Sequence, residues 1–264
     1  MHPIELDELK SIELDILLAF HDYCEQKGLS YMLYYGTLLG AVRHQGFIPW
    51  DDDIDVVMPR DDYEAFFRSF PCDSSFETIK LISYRDRSSI YPFIKLVDTR
   101  TEVVEDFVDP RYKTGVWIDI FPMDGLPEDD RPFKENRKAM RKYDFTVGDT
   151  TTGTTPFRCM AKRLLTPILA SSDIYRVAAR LDAIASETSI DPRHDVGAVV
   201  WGYGKRERMP YPILERALLD FEGHRLYAPT LYEECLTRIF DDFRTPPPEN
   251  ERKPHAIHAT WIAD

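Results

Sequence analysis

Four carboxylates fall within five positions in Trp50-Asp51-Asp52-Asp53-Ile54-Asp55-Val56-Val57-Met58, and the run leads straight into apolar residues. In an extended backbone, alternate side chains face opposite sides. Asp51, Asp53 and Asp55 then share one face, while Asp52 and Ile54 take the other. Carboxylates at i and i+2 repel unless a cation lies between them, and hard oxygen ligands of this kind suit Mg²⁺ or Mn²⁺. A solvated acidic turn would carry the same charge, but it has no need of the Val-Val-Met that follows. An EF-hand loop is excluded. Asp51, Asp53 and Asp55 fit its first, third and fifth positions, yet Val56 replaces the required Gly, Asp62 the required Glu, and Pro59 interrupts it. A further carboxylate stands in the apolar run Trp117-Ile118-Asp119-Ile120-Phe121-Pro122-Met123-Asp124. A buried, unpartnered Asp119 would be costly. Joining the same metal as a third ligand removes that cost, and so does a sheet edge open to water.

The elements that must position these groups follow from periodicity. Leu9, Ile12, Ile16, Phe20 and Tyr23 predict an amphipathic helix ending at Gly28. Strands are expected at 29–35, stopping at Gly36, and at 54–58, stopping at Pro59. A helix over 63–70 follows, capped by Asp61 or Asp62 and ended by Pro71. Further strands are expected at 78–84, 93–97 and 116–121, and a charged surface helix at 129–143. Residues 146–156 have no periodicity and many small polar residues, which marks a mobile loop and an internal boundary. Helices are then expected at 157–165, 173–187, 212–220 and 230–240, before a Pro-rich tail leading to His255 and His258. The expected fold is α+β: a mixed-sheet catalytic core (1–145), the loop (146–156), and a mostly helical lobe (157–264) that packs on the core and completes the site.

Composition narrows the function. The 264 residues, 43% hydrophobic and 12% aromatic, suit a packed core, and a net charge of -13 argues against a nucleic-acid binder. The four cysteines form no CxxC pair, which excludes a zinc module and a disulfide framework. The acidic N-terminus is no secretory signal and no stretch is apolar enough to span a membrane, so a cytoplasmic location is expected. Phe157, Met160, Ala161 and Leu164 form an apolar stripe beside Arg158, Lys162 and Arg163. Such a helix suits either peripheral contact with an anionic membrane or simple packing on the core.

The stretch Gly36-Thr37-Leu38-Leu39-Gly40-Ala41-Val42-Arg43-His44-Gln45-Gly46-Phe47-Ile48-Pro49-Trp50-Asp51-Asp52-Asp53-Ile54-Asp55 closely resembles the signature of the LicD family. That family contains bacterial phosphocholine transferases, with fukutin-related ribitol-phosphate transferases as relatives. The resemblance continues through Phe93-Ile94-Lys95-Leu96, Ile118 to Asp124, Phe221-Glu222-Gly223 and the region from Tyr232 to His258. It departs where the family often has Tyr-Gly-Asp-Tyr and this chain has Phe240-Asp241-Asp242-Phe243, which loosens the C-terminal match but not the core.

The resemblance implies a nucleotidyltransferase-like fold in which Gly36 and Thr37 approach donor phosphates, Asp53 and Asp55 hold Mg²⁺ or Mn²⁺, and Asp119 completes the catalytic site. It implies transfer of a phospho-alcohol from a CDP-activated donor such as CDP-choline to a hydroxyl of a glycan or lipid-linked glycan, with CMP leaving. Arg43, His44 and Lys95 are the cations for the donor diphosphate, Arg43 by a bidentate fork. The alternatives are a strand-edge Lys95 with a solvated head and a His44 that is only a loop residue. Asp51 and Asp52 are supporting or solvent-facing groups, and His255 and His258 could simply tie the tail to the body. Two other functions share these features: nucleotidyl transfer from a nucleoside triphosphate with release of pyrophosphate, and a non-catalytic glycan- or cation-binding module.

Overall fold

A computed structural model describes residues 2–71, 76–106, 108–147, 173–252 and 257–262. The helix expected at 157–165, most of the 146–156 loop, and His255 lie outside the described residues. The chain opens with α1 (Leu6–Lys27), which ends as its sequence predicts: Gly28 adopts a left-handed conformation and its N–H closes on the carbonyls of Cys24 and Glu25. Next come β1 (Met32–Leu33), α2 (Tyr35–His44), β2 (Asp55–Pro59) and α3 (Arg60–Ser69). They are followed by β3 (Ile79–Ile82), β4 (Ile94–Asp98), β5 (Thr101–Glu105), β6 (Trp117–Gly125) and α4 (Arg131–Val147). The second half supplies α5 (Ile174–Ala185), β7 (Val196–Gly197), β8 (Arg216–Phe221), β9 (His224–Pro229), α6 (Tyr232–Phe240) and β10 (Ile257–Trp261).

The main sheet is mixed, with the order β1-β2-β6-β4-β3 and β7 paired to the end of β6. Its centre is β6, buried at all nine positions, with β2 parallel on one side and β4 antiparallel on the other. A central strand of this kind, covered on both faces, is apolar on both. Pro122 is tolerated inside β6 because β4 has already ended, its Ile94 pairing with Ile120. Helix α1 lies against β4 and β6, and α3 against β2 and β6.

Three expectations change at the level of elements. Gly36 and Thr37 do not form a turn after a strand; they lie in the first turn of α2. Residues 212–220 are not a helix: a short 3₁₀ turn at Tyr211–Leu214 leads into β8, which forms a hairpin with β9. The hairpin turns on Glu222 and Gly223, both at positive φ (50° and 77°), the geometry that two-residue hairpin turns require. A further small sheet, β5 with β10, was not anticipated. It clamps the N-terminal segment, with Ile4 N–H donating to Ala259 O (2.9 Å) and Trp261 N–H to His2 O (2.9 Å).

The second half is joined to the core by a buried charge cluster. Arg60 donates to both carboxylate oxygens of Asp124 (2.6 and 2.8 Å) and to Asp182 of α5 (2.8 Å), while Arg85 bridges Glu64 and Asp182. Bidentate, charge-assisted bonds of this type fix geometry as well as adding energy.

Asp241 closes α6 at φ 59° and ψ -106°, a conformation that favours glycine, and it is the residue that stands where the family resemblance expects Gly. Its ion pair with Arg206 (3.0 Å) is largely exposed and adds little. Asp241→Gly should therefore raise stability by about 0.5–1 kcal/mol, measurable as a higher melting temperature. A lower one would mean that the ion pair outweighs the backbone strain.

Candidate active site

The parallel register of β2 and β6 sets Asp55 beside Asp119, and the antiparallel register of β4 sets Lys95 beside Asp119 on its other side. The ladder is tied at the site itself, where Asp119 N–H donates to Ile54 O (2.8 Å). Thr37, in the first turn of α2, accepts the Asp55 N–H on its hydroxyl (2.8 Å), and Tyr34 N–H donates to Asp55 O (3.0 Å). Thr37 thus anchors the start of β2 to the start of α2. Gly36 is needed for a different reason. A Cβ there would lie 2.7 Å from Asp51 Oδ2, so only glycine lets that carboxylate sit against the helix N-terminus, where backbone N–H groups favour an anion.

The preceding loop is held by the β8–β9 hairpin. Glu222 N–H donates to Gln45 O (2.9 Å), and the Glu222 carboxylate accepts from Phe47 N–H (3.0 Å). A side chain on Gly46 would collide with that carboxylate, which explains why Gly46 and the Phe221-Glu222-Gly223 motif stand together.

Electrostatically the site is crowded. Asp51, Asp52 and Asp53 place one carboxylate oxygen each within 4.8 Å of one another; among the described residues they are the group so arranged. Burial, followed by the charges of Asp53, Asp119 and Asp51, holds the Asp55 carboxyl well above the usual carboxylate range, with Lys95 only partly opposing. Glu13 of α1 adds a sixth acid close to the cluster. It is buried, and burial and then Asp53, Asp52, Asp51 and Asp119 raise its carboxyl too. Closely set carboxylates supply the all-oxygen donor set that a hard divalent cation takes.

Asp51, Asp53 and Asp55 line one cleft of about 560 Å³; Asp52 is buried and does not line it, although its carboxylate stays within 4.8 Å of those of Asp51 and Asp53. Yet the backbone is not a strand before Asp55, and Asp51 and Asp52 belong to the closest carboxylate group rather than to its periphery. Asp119 does not line the cleft; it lies behind Asp55. A larger hollow of about 740 Å³ between α4 and α5 contains none of these acids, so size alone does not locate the site.

The expected cations differ among themselves. Lys95 is buried, with Nζ 2.8 Å from Asp119 Oδ1 and close over the rings of Trp117 (3.9 Å) and Tyr91 (4.2 Å). It is neither a solvated strand-edge lysine nor directed into open solvent. Arg43 donates through Nη1 to Phe243 O (3.1 Å) and through Nε to His44 Nε2 (2.9 Å). Burial and the Arg43 charge hold the His44 pKa below its ordinary value, and its ring accepts from Arg43. Arg252, unforeseen from the sequence, lays its guanidinium over Trp50 (5.1 Å), and its charge acts on Arg43. His258 lies on β10 beside Asp106 (3.1 Å), outside the cleft.

The aromatic wall opposite the acids was also missed: Tyr35, Phe121, Trp201, Tyr203 and Phe240. No motif joins these residues in sequence. Only Tyr35, adjacent to the Gly-Thr pair, carried a local hint. If Lys95 chiefly neutralises Asp119, Lys95→Ala should cost on the order of 3 kcal/mol of folding stability by leaving a buried carboxylate alone, read by urea denaturation at neutral pH. Unchanged stability with a raised donor KM would instead assign Lys95 to donor phosphate.

Residues 28–150 match the family described as LicD/FKTN/FKRP, nucleotidyltransferase domain. Over 269 aligned residues, 99% of this chain and 100% of the other, the chain is 30% identical to the lipopolysaccharide cholinephosphotransferase LicD of Haemophilus influenzae. Shorter matches join it to uncharacterized proteins of Rickettsia typhi (37% identity; 25% of this chain, 22% of the other) and Rickettsia prowazekii (48%; 16% of each). With similarity running the length of the chain and the acidic cluster falling inside the matched domain, the chain belongs to the LicD family of phosphotransferases.

Proposed function

We propose that this enzyme transfers phosphocholine from CDP-choline to a hydroxyl of a cell-surface glycan, with release of CMP and dependence on Mg²⁺ or Mn²⁺. The carrying observation is the cleft in which Asp51, Asp53 and Asp55 converge beside the glycine-bearing N-terminus of α2. Full-length similarity to a lipopolysaccharide cholinephosphotransferase supports the choice of transferred group and of acceptor class. The acceptor oxygen forms a bond to the choline-bearing phosphorus, the bond from that phosphorus to the CMP oxygen breaks, and the hydroxyl proton passes to a carboxylate of the cluster.

Asp53 and Asp55, with Asp51, would hold the divalent cation, which when bound supplies charge neutralisation and orientation of phosphate oxygens. Asp119 and Lys95 keep Asp55 in place from behind. Gly36 leaves room for the Asp51 carboxylate at the start of α2. Arg43 and Arg252 would meet the remaining phosphate charge, Arg43 through a planar fork that an ammonium cannot reproduce. Among the described residues no helix is long and apolar enough to cross a membrane, so a lipid-linked acceptor would be met by surface contact.

Two measurements test the reaction. CMP release from CDP-choline should require divalent metal, and Asp53→Asn or Asp55→Asn should lower kcat roughly a hundredfold or more, about 3 kcal/mol, with the fold retained. Near-normal turnover of both variants at saturating Mg²⁺, or pyrophosphate release from a nucleoside triphosphate in place of CMP release, would overturn the assignment. Arg43→Lys should raise the donor KM on the order of tenfold, with less effect on metal affinity; unchanged donor binding by calorimetry would make Arg43 a structural tie to Phe243.

A further inference from the structure

The wall facing the acids has a chemistry that phosphate transfer alone does not explain. Tyr35 and Tyr203 are 5.6 Å apart between ring centroids, Tyr203 and Phe240 5.7 Å, so three rings form a continuous surface along the cleft, with Trp201 beside them. Trp201 is immobilised by Tyr91, Phe93 and Tyr143 at 5.5–5.8 Å. Tyr203, in contrast, is 50% exposed, one of few large hydrophobic residues so exposed among those described.

The placement of these rings is constrained at the expense of backbone freedom. Tyr35 has φ 43°, a strained value for a bulky residue. Gly202 has φ 100°, and a side chain there would collide with the Tyr35 hydroxyl and the Glu207 carboxyl. The Tyr203 N–H donates to Glu207 Oε1 (2.9 Å), which locks the loop that presents the ring. Burial, then the charges of Asp55, Glu207, Asp53 and Asp51, push the Tyr203 phenol up to about 12.

From this geometry we infer that Tyr35, Trp201, Tyr203 and Phe240 form the subsite for a quaternary ammonium headgroup, so that aromatic faces select choline as the transferred alcohol. The inference rests on the proposed phosphocholine reaction. A trimethylammonium has no N–H to donate, so hydrogen-bonding side chains cannot hold it; ring faces can, through their quadrupole, and nearby carboxylates add a favourable field. A primary ammonium or a neutral polyol would gain less from this wall.

Phosphocholine and 3,3-dimethylbutyl phosphate, its isostere with an uncharged headgroup, are the probes, titrated calorimetrically into the full chain with Mg²⁺. The wild type should bind phosphocholine about tenfold more tightly. Tyr203→Leu and Phe240→Leu should each bring that ratio towards one, whereas Tyr203→Phe, which keeps the ring, should preserve it. Equal affinity in the wild type, or an unmoved ratio in both leucine variants with unchanged melting temperatures, would overturn the subsite. Binding is read without turnover, so the two ideas can fail separately. A charge-dependent ratio without CMP release would sink the reaction and leave the subsite standing. Phosphocholine transfer with an unmoved ratio would do the reverse.

Discussion

Everything at this site depends on the register of β2 against β6. That pairing sets Asp55 and Asp119 side by side in a dry region and leaves one cation, Lys95, against them. Two carboxylates and one ammonium in a low-dielectric interior are unbalanced, and the acids at 51–53 increase the imbalance. A buried excess of negative charge is expensive to fold. The divalent cation proposed for the site would offset that excess.

The two sides of the cleft are built differently. The acidic side stands on the central strands and on the first turn of α2, held by Thr37 and Gly36, and its freedom to move is small. The aromatic side comes from the helix starting at Tyr35, the loop at 201–203 and the end of α6. Its position depends on a longer-range tie, Glu207 holding the loop. On the proposed reading, the phosphoryl-transfer groups would rest on the sheet and the alcohol-selecting surface on connections. Loops on a rigid scaffold can vary without disturbing the strands beneath them.

The hairpin of β8 and β9 serves both sides. Its tip holds the loop at 45–47, and through it the approach to the acidic run, while β9 packs against β1 at the sheet edge. The motif Phe221-Glu222-Gly223 is therefore a support for residues far away in sequence. Its glycine belongs to the turn, and its glutamate occupies space that only Gly46 leaves open.

The amino-acid sequence by itself determined the acidic face, the family resemblance and the outline of the sheet. Each of these is local: alternation of side chains puts Asp51, Asp53 and Asp55 on one face, and a run such as Ile118-Asp119-Ile120 declares a strand from its own composition. It did not determine the β8–β9 hairpin, where a short apolar run suits either helix or strand until a partner is present, nor β10, whose partner β5 lies over 150 residues earlier. Lys95 could be located but its partner could not, because the strand register that joins it to Asp119 is a tertiary fact. Arg252 and the aromatic wall were out of reach for the same reason. Residues as far apart as Tyr35, Trp201 and Phe240 become one surface only when the chain closes on itself, since contacts between distant positions leave no period in the sequence.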